Sequence, residues 1–444
     1  MTPKNTRFQN TQRYGNIEQK LKKIPFNKYA LKSGFKQRKN KKVTGKTLLV
    51  AFILMAMQGK NSFQHWAEEI GTLKGIKVSK QGIWSRMTDK LTSFLILILK
   101  DLMQKQLVYA PLHSFNVKWQ TKYNRILIQD STVIALPSWL SNHFPGNVSK
   151  GKKNAQLKIQ VVYDIKANQF VHFEITPYTT NDQSKSKDIL NIANPGDLVL
   201  RDLGYFTLES FHTMYSEQIS FLSRLRYGVT IYSPKTGKEI DILNHLKKKG
   251  KFDAWVLIGK EKKVLVRLVA QKLTQAQADS RVRKAKNNRD KRLNHSKYYY
   301  QLLQYNLFIT TEEEKTFSID QIAQLYQLRW RIETIFKCWK SHFHLQKIIP
   351  QKCSLTKERV ESTMYMMLIF ILLFPVTIYN TVIAIAEKTT DYIISLTKLC
   401  KYIACHIDLF FDKELKKLIP LILYHCSYDR RRDRLNFIQK LNLG

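Results

Sequence analysis

The chain has 444 residues and carries 74 Lys and Arg against 34 Asp and Glu, a formal net charge of +40. That length is enough for two or three domains with a real core, and that charge favours a polyanionic partner, DNA or RNA, over the competing reading of a polybasic membrane-surface protein. Five cysteines without C-x-x-C spacing, and a polar N-terminus without an apolar segment and cleavage site, argue against a disulfide-framed secreted domain and for reduced thiols in the cytoplasm.

Residues 1–43 read as a basic arm. The first 42 hold thirteen Lys or Arg against one acid, Glu18, with little apolar periodicity, so the arm is expected to bind phosphates without sequence preference. Residues 44–115 turn helical and are expected to form an N-terminal DNA-binding domain. Within it Val78–Arg86 has the pattern of an entry to a recognition helix with Ser79 as its N-cap, the alternative being simple helical packing.

The pattern becomes β at Arg125. Ile126 to Gln129 lead into Asp130, then Ser131 to Leu136 continue. A continuous apolar run broken by one Asp is a buried strand delivering a carboxylate, which needs a metal or another cation beside it. A hairpin follows (Gln156–Tyr163 and Phe170–Ile175), and Asp197–Arg201 forms a strand that ends at Asp202-Leu203-Gly204-Tyr205-Phe206. These belong to a core over 116–225 and 303–390. Residues 226–302 interrupt it with predicted hairpins and the basic segment Arg281–Arg292, where Arg281, Arg283 and Lys284 are candidate phosphate contacts. Trp255 lies in one predicted strand of this interruption, either as an exposed ring able to stack on an unpaired base or as a core residue.

One amphipathic helix is expected from Ser318 to about Phe343. At 100° per residue Tyr326, Arg329, Glu333 and Lys340 share about 60° of arc, beside an apolar stripe of Leu325, Leu328, Ile332, Ile335, Phe336 and Trp339; Lys337 adds a further cation. Met364–Ala386 is apolar and long enough to span a membrane, but Pro375 and Asn380 interrupt it, so it reads as a core helix followed by a second packed helix. Residues 391–444 are expected to be a helical C-terminal region with a basic tail.

Tyr326, Arg329, Glu333 and Lys340 fit Y-x2-R-x3-E-x6-K without a gap, and two aspartates end apolar strands upstream. With the flanking LYQLRWRIETIFKCWKS and the D-x-G-Y-F context, this resembles the bacterial insertion-sequence-four family of transposases, which are of the Asp-Asp-Glu type; Leu203 stands where that family commonly has Arg. The resemblance implies an α/β fold: a ribonuclease H-like mixed-sheet catalytic core interrupted by a β-rich insertion and flanked by N- and C-terminal α-helical regions. It implies that Asp130, Asp202 and Glu333 are catalytic and hold Mg2+, with Mn2+ able to substitute. Three carboxylates suit two oxygen-preferring cations that activate the attacking oxygen and stabilise the leaving one. Tyr326, Arg329 and Lys340 would touch DNA, as would Lys337, Trp255, Arg281, Arg283 and Lys284. The activity implied is cut-and-paste DNA transposition on double-stranded DNA, both element terminal inverted repeats and target. It would be performed by a homodimer assembled on DNA, in the bacterial cytoplasm at the nucleoid and not at a membrane. The alternative is a metal-dependent nuclease or resolvase that only hydrolyses.

Overall fold

The computed structural model describes residues 17, 21–36, 43–106, 121–149, 151–287, 296–349, 356–389, 392–407, 409–412 and 415–428. The N-terminal helices are α1 (Phe26–Lys32), α2 (Gly45–Met57), α3 (Phe63–Lys74), α4 (Lys80–Trp84) and α5 (Asp89–Gln104). Ser or Thr caps three of them: Thr44, Ser62 and Ser79 each accept a backbone N–H three residues on. Helix α2 is buried nearly all round, and the Trp66 indole of α3 donates to the Leu48 carbonyl at 3.0 Å, sealing the pair.

Two expectations change here. The basic arm is not wholly without structure. Ile17, Leu21 and Ile24 are buried, and α1 packs Phe26 near Phe94 and donates the Tyr29 hydroxyl to Asp101 at 2.9 Å. The candidate recognition helix α4 has only five residues, about 7.5 Å of rise, and turns Ile83 into the core. Such a segment is too short to lie along a DNA groove as a reading helix.

Ten strands form one mixed sheet among the described residues: β1 (Ile126–Leu136), β2 (Pro145–Ser149), β3 (Lys152–Asp164), β4 (Gln169–Pro177), β5 (Leu198–Arg201), β6 (Ser220–Arg224), β7 (Ile231–Tyr232), β8 (Lys251–Ile258), β9 (Val264–Lys272) and β10 (Tyr305–Thr310). The order is β2-β3-β1-β5-β6-β10-β9-β8-β7, with β4 also on β3. Strands β1, β5 and β6 run parallel, while β3 is antiparallel to β1 and β4 to β3. β5 is buried at every residue, as a central parallel strand covered on both faces must be. Helix α6 (Leu208–Ser216) makes the crossover from β5 to β6.

The predicted interruption joins the core sheet. Strands β7 to β9 extend the core sheet, because β10 pairs with β6 on one side and β9 on the other. The interruption also contains helices α7 (Ile242–Lys249), α8 (Gln275–Lys286) and α9 (Lys297–Leu302), so it is mixed rather than purely β. Arg267 of β9 fastens it to the core. Its guanidinium donates twice to Asp253, both at 2.6 Å, and to the carbonyls of Glu312 and Phe317 at 3.2 and 2.8 Å.

Helices α10 (Ile319–Gln327) and α11 (Trp330–Ser341) follow β10. Next comes α12 (Lys357–Ile371), which continues through a π-turn at Leu372–Val376 into α13 (Thr377–Thr389). The apolar segment is therefore one bent helix rather than two packed ones. Pro375 cannot donate an N–H, and the wider turn absorbs that loss. Lys357–Ala386 is long and apolar enough to cross a membrane, but 72% of its most apolar window is buried within the protein. Asn380, a polar residue in this stretch, meets Asn168 at the β3–β4 turn and donates to its carbonyl at 3.3 Å. Helices α14 (Leu396–Cys405), α15 (Leu409–Asp412) and α16 (Leu415–Cys426) close the C-terminal region; the basic tail from 429 lies outside the described residues.

Arg267→Ala should destabilise the protein by roughly 3–5 kcal/mol in urea denaturation, because it strands Asp253 without its counter-charge, and Arg267→Met with Asp253→Leu should recover most of that loss. Equal loss in both variants would show that the cost comes instead from the lost contacts to the Glu312 and Phe317 carbonyls.

Candidate active site

Two adjacent parallel strands deliver the aspartates. The β1–β5 pairing ends at Gln129 opposite Arg201, and the next residue on each strand is Asp130 or Asp202. Both carboxylates thus leave the sheet at the same level. Asp130 sits in mid-strand, not at a strand end as the sequence suggested, since β1 runs on to Leu136 against β3.

The third carboxylate comes from α11. The expected single helix is interrupted: α10 ends at Gln327, one residue past the motif tyrosine, and α11 begins at Trp330. The backbone between them stays helical, with φ/ψ of −53°/−31° at Leu328 and −55°/−31° at Arg329. It is nevertheless wound more tightly. The N–H groups of Leu328, Arg329 and Ile332 reach carbonyls three residues back, at 3.2 Å each. This tightening directs Arg329 inward.

Arg329 is the centre of the site. Its Nη1 lies 2.9 Å from Asp130 Oδ2, and its Nη2 lies 2.6 Å from Glu333 Oε1 and 3.9 Å from Asp202 Oδ1. The side chains of Arg329 and Asp130 are 9% and 15% exposed, whereas Asp202 and Glu333 are 42% and 38% exposed, so the cluster has a buried floor and an open rim. Burial pushes the Asp130 carboxyl up to about 7; Arg329 and the Ser131 N–H oppose that rise, and the charges of Asp202 and Glu333 add to it. For Arg329 burial acts to weaken the charged form, but Tyr326 and the three carboxylates outweigh it and hold the guanidinium above its ordinary range.

A second layer, not foreseen from the sequence, supports the aspartates. Asp182 accepts from Lys158 Nζ at 3.0 Å, Gln160 Nε2 at 3.2 Å and Ser131 Oγ at 3.3 Å. The Tyr205 hydroxyl donates to Gln160 Oε1 at 2.5 Å. Gly204 explains the glycine of D-x-G-Y-F: a Cβ there would lie 3.3 Å from Asp182 Oδ2. Asp182 therefore ties the residue after Asp130 to the turn after Asp202. It lies in the loop after β4, with no apolar strand around it to mark it. Arg201, just before Asp202, is fully buried. Burial lowers it to about 9, and it donates to Ser210 Oγ at 2.7 Å and Ser186 Oγ at 2.9 Å.

The remaining candidates scatter. Tyr326 is 3% exposed and its hydroxyl donates to the Arg201 carbonyl at 3.2 Å. Tyr326 and Arg329 thus face inward in this structure, where the wheel put them on a DNA-facing stripe; the tightened turn and the pull of the carboxylates account for the change. Lys340 is half-buried, with its ammonium weakened by that burial, and Lys337 is exposed on the same helix. Trp255 is half-buried in β8, opposite Arg267, neither a freely exposed ring nor a fully enclosed one. Arg281 is turned back onto the Tyr305 carbonyl at 3.1 Å and Asn306 Oδ1 at 2.5 Å, which uses the donors expected to meet phosphate. Arg283 and Lys284 stand exposed on α8, and the basic segment beyond 287 lies outside the described residues.

The three carboxylates suit a hard divalent cation in kind, being all oxygen donors around one positive group. In the present arrangement that group is the Arg329 guanidinium, and among the described residues no three acids, histidines or cysteines are gathered as a metal-binding set.

Residues 123–373 match the family model described as Transposase DDE domain. The transposase for insertion sequence element IS231B of Bacillus thuringiensis subsp. berliner is 29% identical over 404 residues, covering 86% of this chain and 83% of the relative. The transposase for insertion sequence element IS231D of Bacillus thuringiensis subsp. finitimus is 30% identical over 376 residues, covering 80% and 77%. The transposase for insertion sequence element IS1151 of Clostridium perfringens is 24% identical over 306 residues, covering 64% of each.

The raised Asp130 carboxyl sets a pH dependence. The folded protein holds this proton up to about pH 7, whereas the unfolded chain releases it near the ordinary 3.8. The group's contribution to stability is therefore full below that lower value and is lost as the pH rises through about 7. Arg329→Ala removes the opposing charge, so it should cost roughly 3 kcal/mol or more at about pH 8, and distinctly less at about pH 5. Urea denaturation at the two pH values checks this, and an equal cost at both would mean that Arg329 does not balance these carboxylates.

Proposed function

The chain belongs to the transposase DDE-domain family, and we propose that it is a DNA transposase that binds the ends of its insertion sequence, cleaves the phosphodiester there and joins the 3′ ends to target DNA by a cut-and-paste route. The observation that carries this reading is the meeting of Asp130, Asp202 and Glu333 around one cation, from two adjacent strands and a helix. The β4-β3-β1-β5-β6 order, with only β3 antiparallel to the central β1, supports a ribonuclease H-like core. The matched relatives are named as insertion-sequence transposases, and the net charge of +40 suits a polyanionic substrate.

Asp130, Asp202 and Glu333 are the residues that would hold Mg2+, or Mn2+ in its place. When bound, the metal would supply charge stabilisation at the scissile phosphate and lower the pKa of the attacking hydroxyl. Asp182, Lys158 and Gln160 keep the two aspartates aligned. Lys337 and Lys340 lie on the Glu333 helix and supply positive charge along the substrate's backbone, as do Arg283 and Lys284 on α8. Arg329 neutralises the carboxylates in the resting protein and remains the nearest guanidinium to any phosphate bound over them. The working form is a homodimer assembled on the two element ends.

Cleavage of labelled element-flanking DNA by purified protein, with and without Mg2+, tests the whole reading. Asp130→Ala, Asp202→Ala and Glu333→Ala should each lower nicking and joining by more than tenfold while leaving end binding nearly intact. A variant that keeps a larger share of wild-type cleavage sinks the assignment of that residue. Nicking without joined products, across all target DNAs, would favour the hydrolytic nuclease instead.

A further inference from the structure

Beyond the carboxylate cluster, the same edge of the sheet carries a group of tyrosines. Strand β6 runs parallel to β5, with Ser223 opposite Arg201, so Arg224 stands level with Asp202. The Arg224 guanidinium lies 5.5 Å from the centre of the Tyr326 ring, against the helix that leads to Glu333. Three residues further on is Tyr227, within about 10 Å of Arg224 by chain length alone.

Tyr227 packs edge-on to Tyr299 at 4.8 Å and tilted to Tyr298 at 6.5 Å, and Tyr299 meets Tyr300 at 5.9 Å. Tyr227 and Tyr298 are nevertheless 48% and 37% exposed. Their hydroxyls are anchored: Tyr227 shares a 2.8 Å hydrogen bond with Ser296, the cap of α9, and Tyr298 donates to Asp241 at 3.4 Å. The rings are thus held in place while remaining partly open to solvent. Arg226 and Lys297, adjacent in sequence to these two tyrosines, are exposed beside them.

Two large rings exposed side by side and fixed form a surface that a flat partner can cover. A ring face flanked by cations matches a nucleobase and its phosphate, and such stacking tolerates any base because every base has a π-face. An acidic protein surface would answer the cations but not the two exposed rings. We infer that the Tyr227–Tyr298 surface is a stacking platform for unpaired DNA bases, placed to hold a strand that has left the duplex beside the carboxylates. This rests on the proposed action on DNA.

The test is binding, read by fluorescence anisotropy without divalent metal, to two labelled duplexes of one arbitrary sequence. One is blunt and the other carries a tail of about five unpaired adenines; the full chain should prefer the tailed duplex by about tenfold. Tyr227→Ala with Tyr298→Ala should abolish the preference while leaving blunt-duplex affinity unchanged, and Tyr227→Phe with Tyr298→Phe should retain it. Tyr227→Leu with Tyr298→Leu keeps apolar bulk without a π-face and serves if the Ala pair misfolds; a full tail preference in the Leu pair overturns stacking. No tail preference in the wild type also overturns the platform. So does a shift in the sedimentation of the Ala or Leu pair without DNA, since that marks a contact between copies of the chain. Because no cleavage is read, failure here leaves the carboxylate assignment standing, and inactive carboxylate variants leave the platform standing.

Discussion

Like charges do not gather without an opposing one. Two carboxylates about 4 Å apart repel by roughly 4 kcal/mol at the effective dielectric of a protein surface, and this site brings three together. The Arg329 guanidinium removes that obstacle by touching Asp130 and Glu333 and approaching Asp202. The rest of the architecture supports this contact. The parallel register of β1 and β5 sets two of the acids level, and the tight turn between α10 and α11 brings both the arginine and the third acid over them. An arginine suits this place better than a lysine, because a planar fork can reach two carboxylates at once.

The cluster is also graded in depth. Asp130 lies at its floor, enclosed enough for burial to raise its carboxyl, while Asp202 and Glu333 stand on the rim. The Asp182 network clamps Ser131 on one side and packs close against Gly204 on the other, where a Cβ would press on the Asp182 carboxylate. Asp130 is held more directly, its Oδ1 accepting the Ser131 N–H at 2.8 Å and its Oδ2 the Arg329 guanidinium at 2.9 Å.

Much of this could be read in the sequence because apolar strands with one acid have few explanations. Asp130, Asp202 and the β3–β4 hairpin follow from patterning, while the arrangement of the core strands was what the family resemblance implied. The helix of Tyr326 to Lys340 was legible as a helix but not in its facing, since a wheel at a constant 100° misses two residues wound more tightly. Once that turn is included, Tyr326 and Arg329 belong to the interior. Asp182 and Lys158 were invisible for a different reason: their importance lies in contacts between a loop and a strand distant in sequence. The interruption was legible as hairpins, but hairpin spacing says nothing about whether an edge strand joins an existing sheet. Similarly, the apolar residues of the arm were too few to show a period, yet Ile17, Leu21 and Ile24 found a core to enter.

Strand β10 occupies a telling place. It is wedged between β6, which precedes it by the whole length of the interruption, and β9 of the interruption itself, and it leads directly into the helix that brings Glu333. During synthesis the two aspartates emerge long before their partner acid. Glu333 follows Asp202 by 131 positions, after the interruption and β10 have both been made. A chain that stops before α10 carries two of the acids yet lacks the stretch that bears both Arg329 and Glu333.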